Sequence, residues 1–399
     1  MASVAGQIRL DLVANTVGKP EGTFIRRQIL ADFKNYPRHI GIGLKAFCWV
    51  SDAATQMTLP LVSVIVPIWN GQDELTRCLE TVLGQDYDQL EVLVIDDAST
   101  DRSLNRIREV ASAQSRIRVI THRENQGLGS TLNHGIQEAK GQFILVVHQD
   151  CEMLDSFFIR KAVETLLANA DIGAVTGRRV YKLQDFSPNE KLFMVANGHL
   201  AELDHNGFET QELTFVEDKC DLYPRSVLES VGGFPAEKFR TSGEDQILSS
   251  RIRGAGYRLV KLGHITYRLG FGKTESSLKG ILAKLRVYGR TQAGVLVTIG
   301  GSALSGVSGA PGLLSRAMNR IQMIVSASTI VVSLALSIFW PSFLLLTAGV
   351  FLGRCLTYLA GLGRLRGRLG LALLGPIVDI FYSIGFLEGL AYSSLGRRL

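Results

Sequence analysis

Five consecutive residues, His148, Gln149, Asp150, Cys151 and Glu152, follow directly on an apolar run, Phe143 to Val147. An imidazole and two carboxylates at the end of a buried strand are groups that bind divalent cations and exchange protons. Two further acidic pairs have the same character. Asp96 and Asp97 close the apolar run "LEVLVI", and Glu244 and Asp245 open the helical pattern "EDQILSSRIRGAG". A carboxylate held in place can take a proton from a hydroxyl, and acids are favoured in the first turn of a helix by its dipole. His199, Asp204 and His205 lack metal-ligand spacing and receive no role.

The elements that must position these groups are legible. "LVSVIVP" from Leu61, "LEVLVIDD" (90–97), "IRVI" (117–120) and "FILVV" (143–147) are strand-like runs, and helical patterns lie between them. The helix at 72–83 places Leu75, Leu79 and Val82 on one face, and a second, 130–139, opens at Ser130 and aligns Leu132 with Ile136. Apolar runs alternating with helices predict an α/β fold, a mainly parallel sheet with helices on both faces. Ligands bind such sheets at the carboxyl ends of the strands. Asp96, Asp97 and the 148–152 cluster all occupy that position. Further on, "VGGFP" (231–235) reads as a turn, and the helix from 244 ends at Gly256 before a short strand.

The chain has 399 residues, 46% of them apolar and 20% charged, which excludes disorder and calls for more than one unit. The formal net charge of +6 is unevenly spread: residues from Lys273 onward carry +10 and those before it −4. The basic third holds the long apolar segments, which points to an anionic membrane surface. No aromatic-basic interleaving supports nucleic acid as a partner. Five scattered cysteines without paired spacing argue against a disulfide framework or a zinc site and fit a reducing cytosol. Residues 1–57 show no sustained period and no secretory signal. They read as an N-terminal extension or an over-extended start.

"SSLKGILAKLRVYGR" puts Ile281, Leu282 and Leu285 on one face and Lys279, Lys284, Arg286 and Arg290 elsewhere, an interfacial amphipathic pattern. After a Gly/Ser-rich connector (300–312), residues 321–339 and 342–361 are each long enough to cross a bilayer, with a turn at Trp340-Pro341. Arg316 and Arg320 precede the pair and Arg364, Arg366 and Arg368 follow it, so both ends are expected on the cytoplasmic side. The segment 370–395 is apolar too, but is interrupted by Pro376, Asp379 and Glu388. A third span, a re-entrant piece and a surface helix all remain open for it. The expected division is 1–57 extension, 58–270 catalytic domain, 271–320 amphipathic helix and linker, and 321–399 membrane region with two or three transmembrane helices.

Five ordered motifs over roughly 60–270 resemble the family-2 glycosyltransferases of the GT-A fold. "VSVIVPIWN", with Pro67 and Asn70, resembles the family's first strand, and "VIDDASTD" its nucleotide-binding turn. "ENQGLGSTLNHGIQEAKGQFILVVHQD", "VGGFP" and "GEDQILSSRIRGAGYRL" match the later motifs in order. The resemblance implies an inverting transfer from a nucleotide-diphospho-sugar. Asp96, with Asp97, would meet the nucleobase unless the pair serves as a helix cap. Asn125, Gly127, Gln149 and Arg251 would line the donor. Asp245 would be the catalytic base with Glu244 in support, although the family's second acid two positions later is Ile247 here.

The family's Asp-x-Asp is His148-Gln149-Asp150 in this chain. Asp150 is then the expected ligand for Mn²⁺ or Mg²⁺, and Glu152 is either supporting or solvated. Imidazole is a poor ligand for Mg²⁺ but acceptable to Mn²⁺. His148 thus reads as a second ligand, as a hydrogen-bond donor to ribose or diphosphate, or as a strand-end histidine with no ligand. His264, in "LGHITYRLG", lies where the family often supplies a further histidine to the metal.

The expectation is a membrane-anchored enzyme of the inner or plasma membrane, with its catalytic domain in the cytoplasm. Its acceptor would be a lipid-linked or membrane-proximal glycan of the cell envelope. A polyprenyl-phosphate glycosyltransferase and a non-catalytic nucleotide-sugar binding protein are the alternatives. A processive synthase is disfavoured, because the Gln-x-x-Arg-Trp signature is absent and no tryptophan lies between Trp69 and Trp340.

Overall fold

Strand β1 (Val62–Ile68) is buried along its whole length, and β2 (Leu90–Asp96) nearly so. The β-branched runs require that, since neither leaves a polar face for solvent. The computed structural model describes residues 59–180, 186–196, 209–240, 242–270, 277–300, 311–362 and 368–399. The expected 1–57 extension and most of the 300–312 connector lie outside the described residues, as do Arg364 and Arg366.

From β1 the chain runs through α1 (Leu75–Leu83), β2, α2 (Ser103–Ser112), β3 (Ile117–Thr121), α3 (Leu128–Glu138) and β4 (Phe143–Val147). These four strands are parallel neighbours in the order β3-β2-β1-β4. Pro67 sits within β1, yet pairing with β4 stops at Ile65, so the missing N–H falls beyond that ladder.

Next come β5 (Cys151–Met153), α4 (Phe158–Ala168), β6 (Ile172–Val180), α5 (Pro188–Ala196), β7 (Gln211–Leu213) and β8 (Cys220–Pro224). The sheet then extends as β4-β8-β6-β9-β5, with β7 pairing β9 (Arg258–Leu269). β8 is antiparallel to both neighbours, β4 and β6, so the sheet is mixed rather than uniformly parallel. Two apolar cores cover its faces, one holding Leu79, Val94 and Phe158, the other Leu132, Tyr223 and Leu248. α6 (Arg225–Ser230) and α7 (Glu244–Gly254) precede β9. β9 has 12 residues and is no short strand.

Four helices complete the chain: α8 (Leu278–Ile299), α9 (Pro311–Leu336), α10 (Phe343–Gly361) and α11 (Arg368–Ser394). α10 and the 369–394 part of α11 are long and apolar enough to cross a membrane, whereas the stretch expected as the first span, 321–339, falls in the apolar part of α9, Arg320–Leu336, which is shorter than a span by itself. The stretch expected to be amphipathic is α8, but its apolar face is covered. Ile281 and Leu285 join a core with Leu192 and Phe193 of α5, Met323 of α9, Tyr358 of α10 and Tyr382 of α11. Residues 59–399 form one compact unit.

The charges interrupting the third apolar segment are paired. Asp379 is fully buried and receives the Arg354 guanidinium at 2.6 and 2.9 Å, Ser326 Oγ at 2.9 Å and Tyr358 OH at 3.0 Å. Glu388 is paired with Arg286 of α8, whose Nε is at 3.0 Å. A buried carboxylate with three donors satisfies what an apolar environment demands of it.

Candidate active site

β1, β2 and β4 are parallel and in register, so the segments after Ile68, Asp96 and Val147 emerge along one edge of the sheet. Asn70 (φ 51°) and Gln149 belong to this edge and tie its loops together. The Asn70 carbonyl oxygen accepts from Thr100 N at 2.8 Å, and its own backbone N–H donates to Ser99 Oγ at 3.0 Å. The Gln149 amide accepts from Trp69 N at 2.9 Å and donates to Trp69 O at 3.2 Å. Both residues expected to line the donor hold the β1 loop in place.

The acidic pair after β2 divides its work. Asp97, almost fully buried, accepts from Gln126 N at 2.8 Å, Gly127 N at 2.9 Å and His122 Nδ1 at 2.8 Å. Its carboxylate therefore clamps the 122–127 loop. Gly127 has φ 87°, and a Cβ there would meet the Arg240 carbonyl at 2.5 Å. Asn125 belongs to the same knot, accepting from Arg240 and donating to Asp97 O at 3.3 Å. Asp96 is different. Its Oδ2 accepts a weak bond from Ser99 N at 3.3 Å, while Oδ1 is buried with no partner among the described residues. A buried acceptor without a donor costs on the order of 1–3 kcal/mol, which a nucleobase N–H would recover. Ala98 beside it has φ 57°, a strained value for a residue with a Cβ.

At the end of β4 the structure supplies a residue that the motif reading missed. Lys219 Nζ lies 2.8 Å from His148 Nδ1, and His148 N donates to Lys219 O at 3.1 Å. An ammonium group only donates, so Nδ1 accepts and the imidazole proton resides on Nε2. Nε2 is buried and has no partner among the described residues. In this arrangement His148 presents Nε2–H as a donor, which supports the hydrogen-bonding reading among the three expected for it. Burial, Lys219 and Lys284 push its pKa well below the ordinary value, so the ring is neutral. Burial draws the Lys219 ammonium down, but Asp150 and other acidic neighbours outweigh that and raise it. Lys284 of α8 is lowered to about 8 by burial and by Lys219, against Asp150.

The end of β9 that reaches Asp150 carries Leu269, opposite Cys151, and Gly270, whose N donates to Asp150 O at 2.7 Å. His264 is exposed and lies between Leu262 and Thr266, where the register of β9 with β6 shifts. Glu152 is held by Arg268 and by Arg77 at 3.7 Å. Among the described residues no group of three His, Cys, Asp or Glu is placed to hold a metal ion. Asp150 alone fits the one-carboxylate, oxygen-only attachment of a divalent cation that arrives on substrate phosphates.

Opposite this edge lies a carboxyl group cluster at the start of α7. Gly243 caps the helix at φ 95°, preceded by Ser242 at φ 68°. Asp245 accepts from Gln246 N at 2.8 Å. Burial lifts it to about 6, with Glu217 adding to the rise and Lys219 and Arg320 opposing it. Burial and Asp245 lift Glu244 to about 8. Asp221 is lifted to about 7, mainly by burial, and Asp218 well above its ordinary value by burial, Asp245 and Asp221. Asp218 adopts φ 55° and accepts from Tyr223 OH at 2.6 Å. Arg320 of α9 bonds Gln292 of α8, which is 3.5 Å from Gln246 of α7, so the base of the apolar helices reaches the Asp245 turn. Arg251 donates to Gly233 O at 3.3 Å and to Glu237 at 3.4 Å.

Lys219, Asp218 and Asp221 sit together in "EDKCD" (217–221), three acids and a lysine on the threshold of an apolar strand. That density of charge before a buried strand is the available signal for them.

The sequence pattern of the family described as glycosyl transferase family 2 matches residues 63–232. The putative glycosyltransferase EpsH of Bacillus subtilis is 38% identical over 94 residues, covering 24% of this chain and 27% of its own length. Glycosyltransferase AglE of Haloferax volcanii is 28% identical over 212 residues, 51% of this chain and 64% of its own. The chain thus spans less than two thirds of either relative. The solved mannosyltransferase PcManGT of Pyrobaculum calidifontis, in complex with GDP-Man and Mn²⁺, superposes with a TM-score of 0.55. The match covers 83% of this chain and 88% of that one at 22% identity, a likeness of fold.

Proposed function

We propose, for a chain whose residues 63–232 form a family-2 glycosyltransferase domain of the GT-A fold, an inverting glycosyl transfer at the cytoplasmic membrane surface. The sugar passes from a nucleotide-diphospho-sugar to a hydroxyl of a lipid-linked or membrane-proximal glycan. The observation that carries this reading is the Asp245 carboxyl, raised to about 6 and flanked by Arg320 from the base of the apolar helices. It is a base tuned near neutral pH and set beside the membrane region.

Asp96 Oδ1 would accept the nucleobase N–H. The His148 Nε2–H, Lys219 and Lys284 would bind the diphosphate, whose charge grows as it leaves. Asp150 would hold Mn²⁺ or Mg²⁺, which when bound adds charge neutralisation on the same oxygens. The acceptor oxygen forms its bond to the anomeric carbon from the face opposite the diphosphate. The carbon–phosphate-oxygen bond breaks with its electron pair, and the hydroxyl proton passes to Asp245. Burial and the neighbouring Asp245 raise Glu244 well above the ordinary carboxyl range, so the pair does not ionise fully together. The mannosyltransferase neighbour was solved with GDP-Man and Mn²⁺, ligands of the class that this site would take.

The test is a panel of nucleotide sugars measured for binding and for turnover with membrane extract, with and without Mn²⁺. Binding with no turnover of any donor would favour a binding protein instead. A polyprenyl phosphate is the second acceptor reading, favoured by the cationic Lys219 and Arg320 near Asp245. Such a nucleophile is already ionised and needs no base.

A further inference from the structure

Helix α11 passes the length and apolarity test for a membrane span, yet the structure holds both its ends against the catalytic domain. Near its start, Ala372 and Val378 share a core with Leu192 and Phe193 of α5. Just beyond its end, Leu399 N donates to Lys238 O and Arg240 N to Leu399 O, both at 2.8 Å. The Leu399 side chain packs with Phe239, Ile247 and Val295, and Arg398 donates to Gln126 O at 3.0 Å. Between the ends, α11 lies backbone to backbone on α8. A Cβ at Gly289 would strike the Tyr382 carbonyl, and one at Gly385 or Gly389 the Arg286 or Arg290 carbonyl. A helix of 27 residues is about 40 Å long, more than the ~30 Å hydrocarbon core. Its two ends cannot lie on opposite sides of a bilayer while both touch one domain on one side.

The uncovered face is apolar. Leu369, Leu373, Ile377, Ile384 and Leu387 are exposed and fall within an arc of about 80° at 100° per residue. The protein buries 44% of the apolar window of α11 but only 17% of that of α10. Beside this stripe runs a groove of about 540 Å³ between α8 and α11, lined by Lys279, Arg286 and Arg290 as well as Leu282 and Phe381. An apolar stripe with a basic rim is the pattern of a helix lying in the headgroup boundary of an anionic leaflet. The α9–α10 hairpin also exposes apolar residues, Val331, Phe339, Trp340 and Leu345.

We propose that α11 lies in the plane of the membrane, its leucine stripe in the acyl boundary of the leaflet facing the catalytic domain, while only the α9–α10 hairpin inserts. This rests on the membrane attachment inferred above. The full chain is reconstituted into vesicles of phosphatidylethanolamine and phosphatidylglycerol. Single cysteines are introduced at Ser394, at Ser112 on the exposed surface of α2, and at Leu373 and Leu387. The in-plane arrangement predicts that Ser394→Cys reacts with a membrane-impermeant maleimide from the same side as Ser112→Cys. Bimane on Leu373→Cys or Leu387→Cys is quenched by shallow brominated lipid. Replacing both leucines by Glu lowers vesicle partition about tenfold or more while Ser112→Cys labelling is unchanged. Labelling of Ser394→Cys from the opposite side overturns the inference but leaves membrane attachment intact. So does cross-linking of Leu373→Cys between two copies with no lipid quenching. Failure of the parent chain to bind vesicles at all overturns both.

Discussion

The Lys219 ammonium stands 2.8 Å from Nδ1 of His148, and that one contact decides what the altered strand-end motif can do. It leaves the imidazole proton on Nε2, a buried atom with no partner among the described residues, and supports the hydrogen-bonding reading of His148. Lys219→Met should release the tautomer and weaken nucleotide-sugar binding by about tenfold or more, the worth of a hydrogen bond to a charged group. Lys219→Arg should restore part of it. Nitrogen-15 NMR of His148 reports the tautomer directly.

His148→Asp, which writes the family's usual acid into the site, should leave the ratio of Mn²⁺- to Mg²⁺-supported donor binding unchanged if, as proposed, Asp150 is the ligand. Isothermal titration with each metal checks this. A clear shift towards Mg²⁺ would return His148 to the ligand set.

The buried carboxyl groups predict how stability varies with pH. Asp221 and Glu244 rise from ordinary carboxyl values to about 7 and about 8 in the folded protein, chiefly through burial. The folded state then holds protons that the unfolded chain has released. Their contribution is therefore full below about pH 4 and is lost as pH rises through 7 and 8. In detergent the unfolding midpoint should be higher at pH 6 than at pH 8.5, and Asp221→Asn should flatten that slope. A midpoint that climbs over this window contradicts the assignment.

The ion pair between Arg354 and Asp379 makes a separate prediction for the helices. Arg354→Ala strands a buried carboxylate and should cost about 3–5 kcal/mol, whereas Arg354→Met combined with Asp379→Leu should recover most of that loss. Thermal unfolding of the two variants in detergent separates the cases.

Much of this was legible in the chain. The four parallel strands announce themselves as apolar runs rich in Val and Ile, and Glu244-Asp245 stands in the first turn of the helix its spacing predicts. What was not legible depends on strand insertion. Lys219 meets His148 only because β8 enters antiparallel beside β4, a pairing 71 residues apart that no local pattern reveals. Nor does a local pattern reveal the register shift of β9 at His264, or that the far end of this 12-residue strand reaches Asp150. The partners of Asn70, Asp97, Gln149 and Arg251, among them the buried His122 ring on Asp97, likewise come from distant loops, which residue type cannot foretell. Asp379 and Glu388 read as blemishes in an apolar segment until Arg354 and Arg286 are placed against them.

The central claim, that Asp245 takes a proton from an acceptor hydroxyl, is tested by the pH dependence of kcat/KM for Asp245→Asn beside the parent chain. With the true acceptor, the parent should lose activity about tenfold per pH unit below about pH 6. The variant should be slower by about 10²–10⁴, with donor affinity unchanged and that acid limb gone. A variant that keeps more than about a tenth of parental turnover, with the limb intact, would contradict the base assignment and leave an ionised phosphate as the acceptor.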